Sequence, residues 1–262
     1  METRERKMPG LTHSNTWVKC AKPRPRARLR LFCFPHAGGG ASVYKTWADN
    51  LPEEIEVCAI QLPGREDRLG EAAFTRMPPL IWALSHALQP YLDARPFAFF
   101  GHSMGAFVSF EVARNLHAHG HVGPLQLFVA AQRAPQLPDR DPPVHNLPDA
   151  EFIEKLRTLN GTPPEILQNA EVMEIALPLL HADFAVCETY QYTAGVPLSC
   201  PILAFGGIAD KEINYNELTG WREQTTSHFM VRMFSGDHFF VDSNHDLLLR
   251  TINNELLPFL RR

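Results

Sequence analysis

Nowhere in this 262-residue chain do eighteen apolar residues follow one another, so no membrane-spanning helix is expected. The opening METRERKMPG carries charge with no apolar segment behind it, unlike a secretion signal, and a cytoplasmic protein is expected. An excess of positive charge is also missing. Against 29 Asp and Glu stand 25 Lys and Arg, a formal net charge of -4, which disfavours a nucleic-acid binder or a membrane-surface protein. The five cysteines, Cys20, Cys33, Cys58, Cys187 and Cys200, are odd in number and lack the paired spacing of a metal site. Reduced, largely buried thiols are the expectation, with no metal. No Lys-Ser/Thr follows a glycine run and no G-x-G-x-x-G occurs, which removes the P-loop and dinucleotide-binding classes. Internal repeats and low-complexity tracts are absent as well.

What is present is an alternation of short apolar runs and amphipathic segments. The runs are LRLFCFP (29 to 35), VCAIQLP (57 to 63), FAFFGHS (97 to 103), LQLFVAA (125 to 131), PILAFGG (201 to 207) and FMVRMFSG (229 to 236). Continuous rather than alternating apolarity predicts strands covered on both faces. Helical spacing is predicted near 43 to 51, 77 to 94, 104 to 119, 214 to 224 and 243 to 261. The fold class is therefore α/β, a mostly parallel central sheet flanked by helices. Residues 1–28, polar and broken by Pro9, Pro23 and Pro25, predict a flexible lead-in. The core is expected over 29–131 and 197–262. Between them, 132–196 opens with APQLPDRDPPVHNLPD, which holds five prolines, and continues with two helical patterns and no strand. One pattern covers Asp149 to Asn160 and should stop at Asn160-Gly161, a better use of NG than the chance glycosylation sequon there. The other runs from about Pro164 to Tyr190 and should bend at Pro178. A connection this long predicts a helical lid insertion.

Gly101-His102-Ser103-Met104-Gly105 is G-x-S-x-G, preceded by four apolar residues and followed by a helical pattern. That setting predicts a nucleophile elbow, a strand-to-helix turn so sharp that flanking side chains would collide and only glycine fits. Ser103 would then sit exposed at a helix N-terminus. A serine hydroxyl needs a base and an orienting acid, which the elbow predicts in the order Ser, Asp, His at strand ends. Asp210 follows the fifth run and His238 the sixth. Asp237 and Asp242 compete with Asp210 but adjoin His238 in sequence and would not readily reach its ring. His181 falls in the insertion, and His117, His119 and His121 alternate so that their side chains diverge on a helix. The glycine-rich FPHAGGG (34 to 40) after the first run lets backbone N–H groups approach a ligand, so Ala37 and Met104 are the expected oxyanion donors.

Taken together, FPHAGGGASVY, AIQLPGREDRL, FGHSMGA, HADF and GDHFF resemble the type II thioesterases, discrete α/β-hydrolases serving polyketide and non-ribosomal peptide synthases, with medium-chain fatty acyl thioesterases as cousins. The resemblance spans about 29 to 261. It implies hydrolysis of acyl thioesters on the phosphopantetheine arm of acyl or peptidyl carrier proteins, especially stalled or mis-primed short groups. It further implies Ser103 as nucleophile, Asp210 as acid and His238 as base, with His36 and Asp183 contributing to substrate binding, His36 from the first-strand motif and Asp183 from the lid signature. No cofactor is implied beyond the partner's phosphopantetheine, and the expected protein is a monomer. Arg65, Arg68, Arg133 and Arg140 are candidates for a basic rim meeting an acidic carrier. The competing readings are a medium-chain chain-terminating thioesterase, a general carboxylesterase or lipase, and an acyl-binding protein without hydrolysis.

Overall fold

The six apolar runs become six neighbouring strands of one sheet. The computed structural model describes residues 16–92, 95–159 and 164–261. Seven strands, β1 (Val18–Lys19), β2 (Leu29–Phe34), β3 (Ile55–Ile60), β4 (Phe97–His102), β5 (Leu127–Ala130), β6 (Ile202–Gly207) and β7 (Phe229–Phe234), lie in the order β1-β3-β2-β4-β5-β6-β7. All neighbours are parallel except β1 and β3. Strand side chains alternate between faces, so β4 sends Phe97 and Phe99 into one apolar cluster and Ala98 and Phe100 into the other. Strands β2 to β6 are buried on both faces, in line with their largely continuous apolarity. β7 departs from that expectation, because as the edge strand it leaves Met230 and Arg232 exposed on one face.

The helices are α1 (Trp47–Asn50), α2 (Met77–Leu88), α3 (Met104–Ala118), α4 (Asp149–Leu159), α5 (Pro164–Leu167), α6 (Ala170–Glu188), α7 (Tyr215–Thr219), α8 (Phe240–Ser243) and α9 (His245–Leu260). Leu80, Leu84 and Leu88 of α2 and Val112 and Leu116 of α3 cover one face of the sheet. Trp47 of α1 and Leu248, Ile252 and Leu256 of α9 cover the other. This is the sandwich of a parallel sheet between helical layers expected of an α/β-hydrolase fold.

Helices α4, α5 and α6 all fall between β5 and β6 and share a separate small core of Val144, Phe152, Leu156, Leu167, Met173, Leu177 and Leu180. The second helical pattern is interrupted at Asn169, whose side chain accepts from Val172 N–H at 3.2 Å and caps α6, while α6 carries Pro178 in its interior. The expected stop at Asn160-Gly161 lies outside the described residues.

One boundary needs correcting. The flexible lead-in was expected to reach residue 28, but from residue 16 on the chain is built into the fold. Val18 pairs with Ile60 across the edge of β3 and is 6% exposed. Trp17 O accepts from Gln61 N–H at 2.9 Å, and the guanidinium of Arg24 reaches Ile55 O at 2.9 Å. An open edge at β3 invites such cover. A strand of two residues is too short to show any periodicity. The remainder of the expected lead-in, residues 1–15, lies outside the described residues.

Candidate active site

Three chain segments converge at the carboxyl ends of β4, β6 and β7. Ser103 links β4 to α3 with φ 52 and ψ -116, a left-handed value for a non-glycine residue. Such strain persists only where the surroundings impose it. Here Ser103 N–H donates to Ala130 O at 2.8 Å and Ser103 O accepts from Ala106 N–H at 2.9 Å. The flanking glycines are required, since a Cβ at Gly101 would lie 2.2 Å from Gly105 O and one at Gly105 would lie 2.1 Å from Phe34 O. The collision expected from the sequence is thus present on both sides.

His238, just past β7, turns its ring between Ser103 and Asp210. Its Nδ1 lies 3.0 Å from Asp210 Oδ2 and its Nε2 lies 3.0 Å from Ser103 Oγ. A carboxylate only accepts, so the proton sits on Nδ1 and leaves Nε2 as the acceptor for the serine hydroxyl. The Asp210 side chain is fully buried, and its Oδ1 accepts the N–H groups of Glu212 at 2.8 Å and Ile213 at 3.2 Å. Asp237, the sequence competitor, instead accepts from Phe239 N–H through its Oδ1.

A second histidine supports the first. His102 is buried and its Nε2–H donates to the carbonyl of His238 at 3.0 Å, a contact that the elbow motif did not reveal. Burial, then the neighbouring His36 and His238, holds the His102 ring well below the usual imidazole range. His36 packs its ring 5.2 Å from His102 and 5.2 Å from Phe239, and burial, then His238 and Arg65, pushes it down to about 4. Both rings are neutral at pH 7.

The glycine-rich turn after β2 is tied down by side chains from elsewhere. Gly38 N–H donates to Asp183 Oδ2 at 2.7 Å, Ala41 N–H to Gln61 Oε1 at 2.6 Å, and Ser42 N–H to Glu66 Oε1 at 3.1 Å. The Gly38 N–H is thus engaged, while His36 and Ala37 of this turn line the cavity beside Ser103 and His238.

Several sequence expectations are overturned by burial. Asp183 was expected to bind substrate, but it is 2% exposed and spends both oxygens on Arg65 and Gly38. Nor do the four arginines form an exposed basic rim. Arg65 is 4% exposed, paired to Asp183. Arg68 is buried against the Trp17 ring at 4.3 Å and pairs with Glu71. Arg133 packs on Phe107 and donates to Leu137 O at 2.6 Å, and only Arg140 is substantially exposed, paired to Glu217. Each guanidinium found an internal acceptor, Arg68 and Arg133 close by in the chain, Arg65 and Arg140 across separations that no local pattern announces.

The cavity at Ser103 is roofed by the insertion. Val144, Leu156, Leu159, Leu180 and Phe184 give it an apolar wall opposite Ser103, His238 and His36. Charged side chains, among them Arg133, Asp139, Lys155 and Glu188, line the same cavity, so it offers an acyl chain an apolar wall beside the serine and a polar lining for the rest of a substrate.

Known proteins are similar to this chain over most of its length. A model of the thioesterase domain matches residues 29–256. The gramicidin S biosynthesis protein GrsT of Aneurinibacillus migulanus is 48% identical over 242 residues, 92% of this chain and 94% of that protein. Thioesterase PikA5 of Streptomyces venezuelae is 37% identical over 93% of this chain and 86% of its own. The solved structure of the type II thioesterase BorB from the borrelidin biosynthetic cluster superposes with a TM-score of 0.85 at 36% identity, covering 94% of this chain and 99% of that one. By this family match and these relatives, the chain belongs to the thioesterase domain family and is a type II member of it.

Proposed function

We propose that this protein hydrolyses acyl groups from the phosphopantetheine arm of acyl or peptidyl carrier domains, clearing aberrant or stalled units from a polyketide or non-ribosomal peptide assembly line. The observation that carries this reading is the His238 ring, 3.0 Å from both the Ser103 hydroxyl and the Asp210 carboxylate. The settings of the relatives, gramicidin S biosynthesis and a borrelidin biosynthetic cluster, support a carrier-borne substrate.

The steps follow from the geometry. Ser103 Oγ attacks the thioester carbonyl while His238 Nε2 takes its proton, and Asp210 stabilises the imidazolium that forms. The N–H groups of Ala37 and Met104 hold the oxyanion, each worth about 10² to 10³ in rate. The carbon–sulfur bond then breaks, the thiol leaves with the imidazolium proton, and an acyl-serine remains. A thiol with a pKa of about 8.5 departs readily, so little acid assistance is needed. Water next attacks the acyl-serine with His238 again as base, releasing the free acid and restoring Ser103.

The test is turnover of a panel of acyl groups, acetyl to long chain, each loaded on a carrier protein, with the matching nitrophenyl esters in parallel. Rapid release of short or malformed units from the carrier is expected. A preference for medium chains would instead indicate chain termination in fatty acid synthesis, and turnover of the oxygen esters alone would indicate a carboxylesterase.

A further inference from the structure

The buried pair Arg65–Asp183 stands outside the Ser103–His238–Asp210 relay, yet it grips the turn that carries Ala37. Asp183 lies on α6, within the insertion, 145 residues from Gly38. Its Oδ2 accepts Gly38 N–H at 2.7 Å and Arg65 Nη1 at 2.8 Å, while its Oδ1 accepts Arg65 Nη2 at 2.8 Å. Arg65 Nη1 also donates to Gly39 O at 3.0 Å. The peptide groups directly after Ala37 are therefore held by both signs of charge, N–H by carboxylate and C=O by guanidinium. Gly38 has φ +78, and three successive glycines have little conformational preference of their own. One bond within the turn, Gly39 N–H to His36 O at 3.0 Å, closes it, and the remaining constraint comes from outside contacts. Leu180, one turn before Asp183 on α6, reinforces the grip, since a Cβ at Gly38 would lie 2.7 Å from its Cδ2.

We propose that Asp183, oriented by Arg65, is a positioning residue that fixes the Gly38–Gly39 backbone and so aims the Ala37 N–H at the oxyanion, making helix α6 part of the catalytic framework as well as a roof. This rests on the thioester-hydrolase reading above. A carboxylate suits the task because its two oxygens can take a planar guanidinium bidentately and still accept a backbone N–H. The alternative is that the pair serves stability alone. The two roles separate when both charges are removed together, because a buried ion pair replaced by apolar side chains of similar volume often leaves stability intact. The Gly38 N–H would nonetheless lose its anchor.

The experiment compares wild type, Asp183→Asn, Arg65→Lys, the double variant R65M/D183L and Ser103→Ala. It measures kcat and KM on a short acyl-pantetheine thioester, the melting temperature, and calorimetric affinity for an alkyl boronic acid, whose tetrahedral adduct on Ser103 places an oxygen at the oxyanion position. Asp183→Asn and the double variant should lose about 10²-fold in kcat, with KM changed less than about threefold and boronate affinity falling in step with kcat. The double variant should melt near wild type and remain slow. Should Asp183→Asn fail to fold, the double variant decides. Recovery of kcat and boronate affinity together with the melting temperature in the double variant, or wild-type values of both in Asp183→Asn, overturns the proposal. A wild type inert toward thioesters would sink the hydrolase reading instead, and the boronate affinities would still decide whether Asp183 places the donor.

Discussion

A Cβ on Gly207 would lie 2.2 Å from the carbonyl oxygen of Asp237. That close approach lets the loop after β7 rest on the end of β6, which is how Asp210 and His238, carried by neighbouring strands, come within 3.0 Å. Gly207→Ala should push the loop outward, lowering kcat about 10²-fold through misplacement of His238. The melting temperature should fall too, and a kcat within about threefold of wild type would contradict this account of the strand ends.

The nucleophile assignment has a direct chemical readout. Ser103→Ala should lower kcat about 10⁴-fold or more with little change in KM. A fluorophosphonate should label the wild-type serine and leave the variant untouched. Labelling without any thioester turnover would favour an acyl-binding protein.

Acid should destabilise the fold before the carboxylates titrate. His36 is pushed down to about 4 and His102 is held well below the usual range, both mainly by burial. The unfolded chain protonates these rings near pH 6.5 while the folded one does not, so stability is complete above about 6.5 and falls as pH drops toward 4. Each ring adds a slope of at most about 1.4 kcal/mol per pH unit. Denaturant midpoints measured between pH 7 and 4.5 should decline, and the decline should flatten when both rings are replaced by glutamine. An equally steep decline in that variant would assign the effect to other groups.

Charge reversal at Arg65 or Arg68 should act through folding, not through carrier affinity. Arg65→Glu would leave two carboxylates facing each other where the Asp183 pair stood, and breaking a buried pair typically costs about 3–5 kcal/mol. Thermal melts should drop sharply, and any residual rate should fall alike for carrier-bound and small thioesters. A defect confined to the carrier-bound substrate would restore the idea of a docking rim.

Much of the frame is legible in the sequence. The apolar runs ending at Gly101 and near Asp210 mark the ends of strands buried on both faces, while the run before His238 belongs to the edge strand β7, which exposes Met230 and Arg232 on one face. The G-x-S-x-G turn is equally local, since Gly101 and Gly105 are excluded from bearing side chains by atoms only a few residues away or on the adjoining strand. The insertion was visible as helical spacing without a strand. Hidden were β1, too short for any period, and the break at Asn169, where a cap interrupts a pattern that reads as continuous.

From the sequence alone came the identity of the serine, the histidine and the acid, and the family to which their spacing belongs, because those signals are written in neighbouring residues and in strand-length patterns of apolarity. Tertiary structure alone decided what the charged residues do. Arg65 and Asp183 stand 118 positions apart and look like surface groups in the sequence, yet both are buried on the turn beside Ala37. His102 reads as filler within the elbow and proves to hold the backbone of His238. Which acceptor a guanidinium or an imidazole finds depends on where distant segments meet, and no spacing along the chain encodes that meeting.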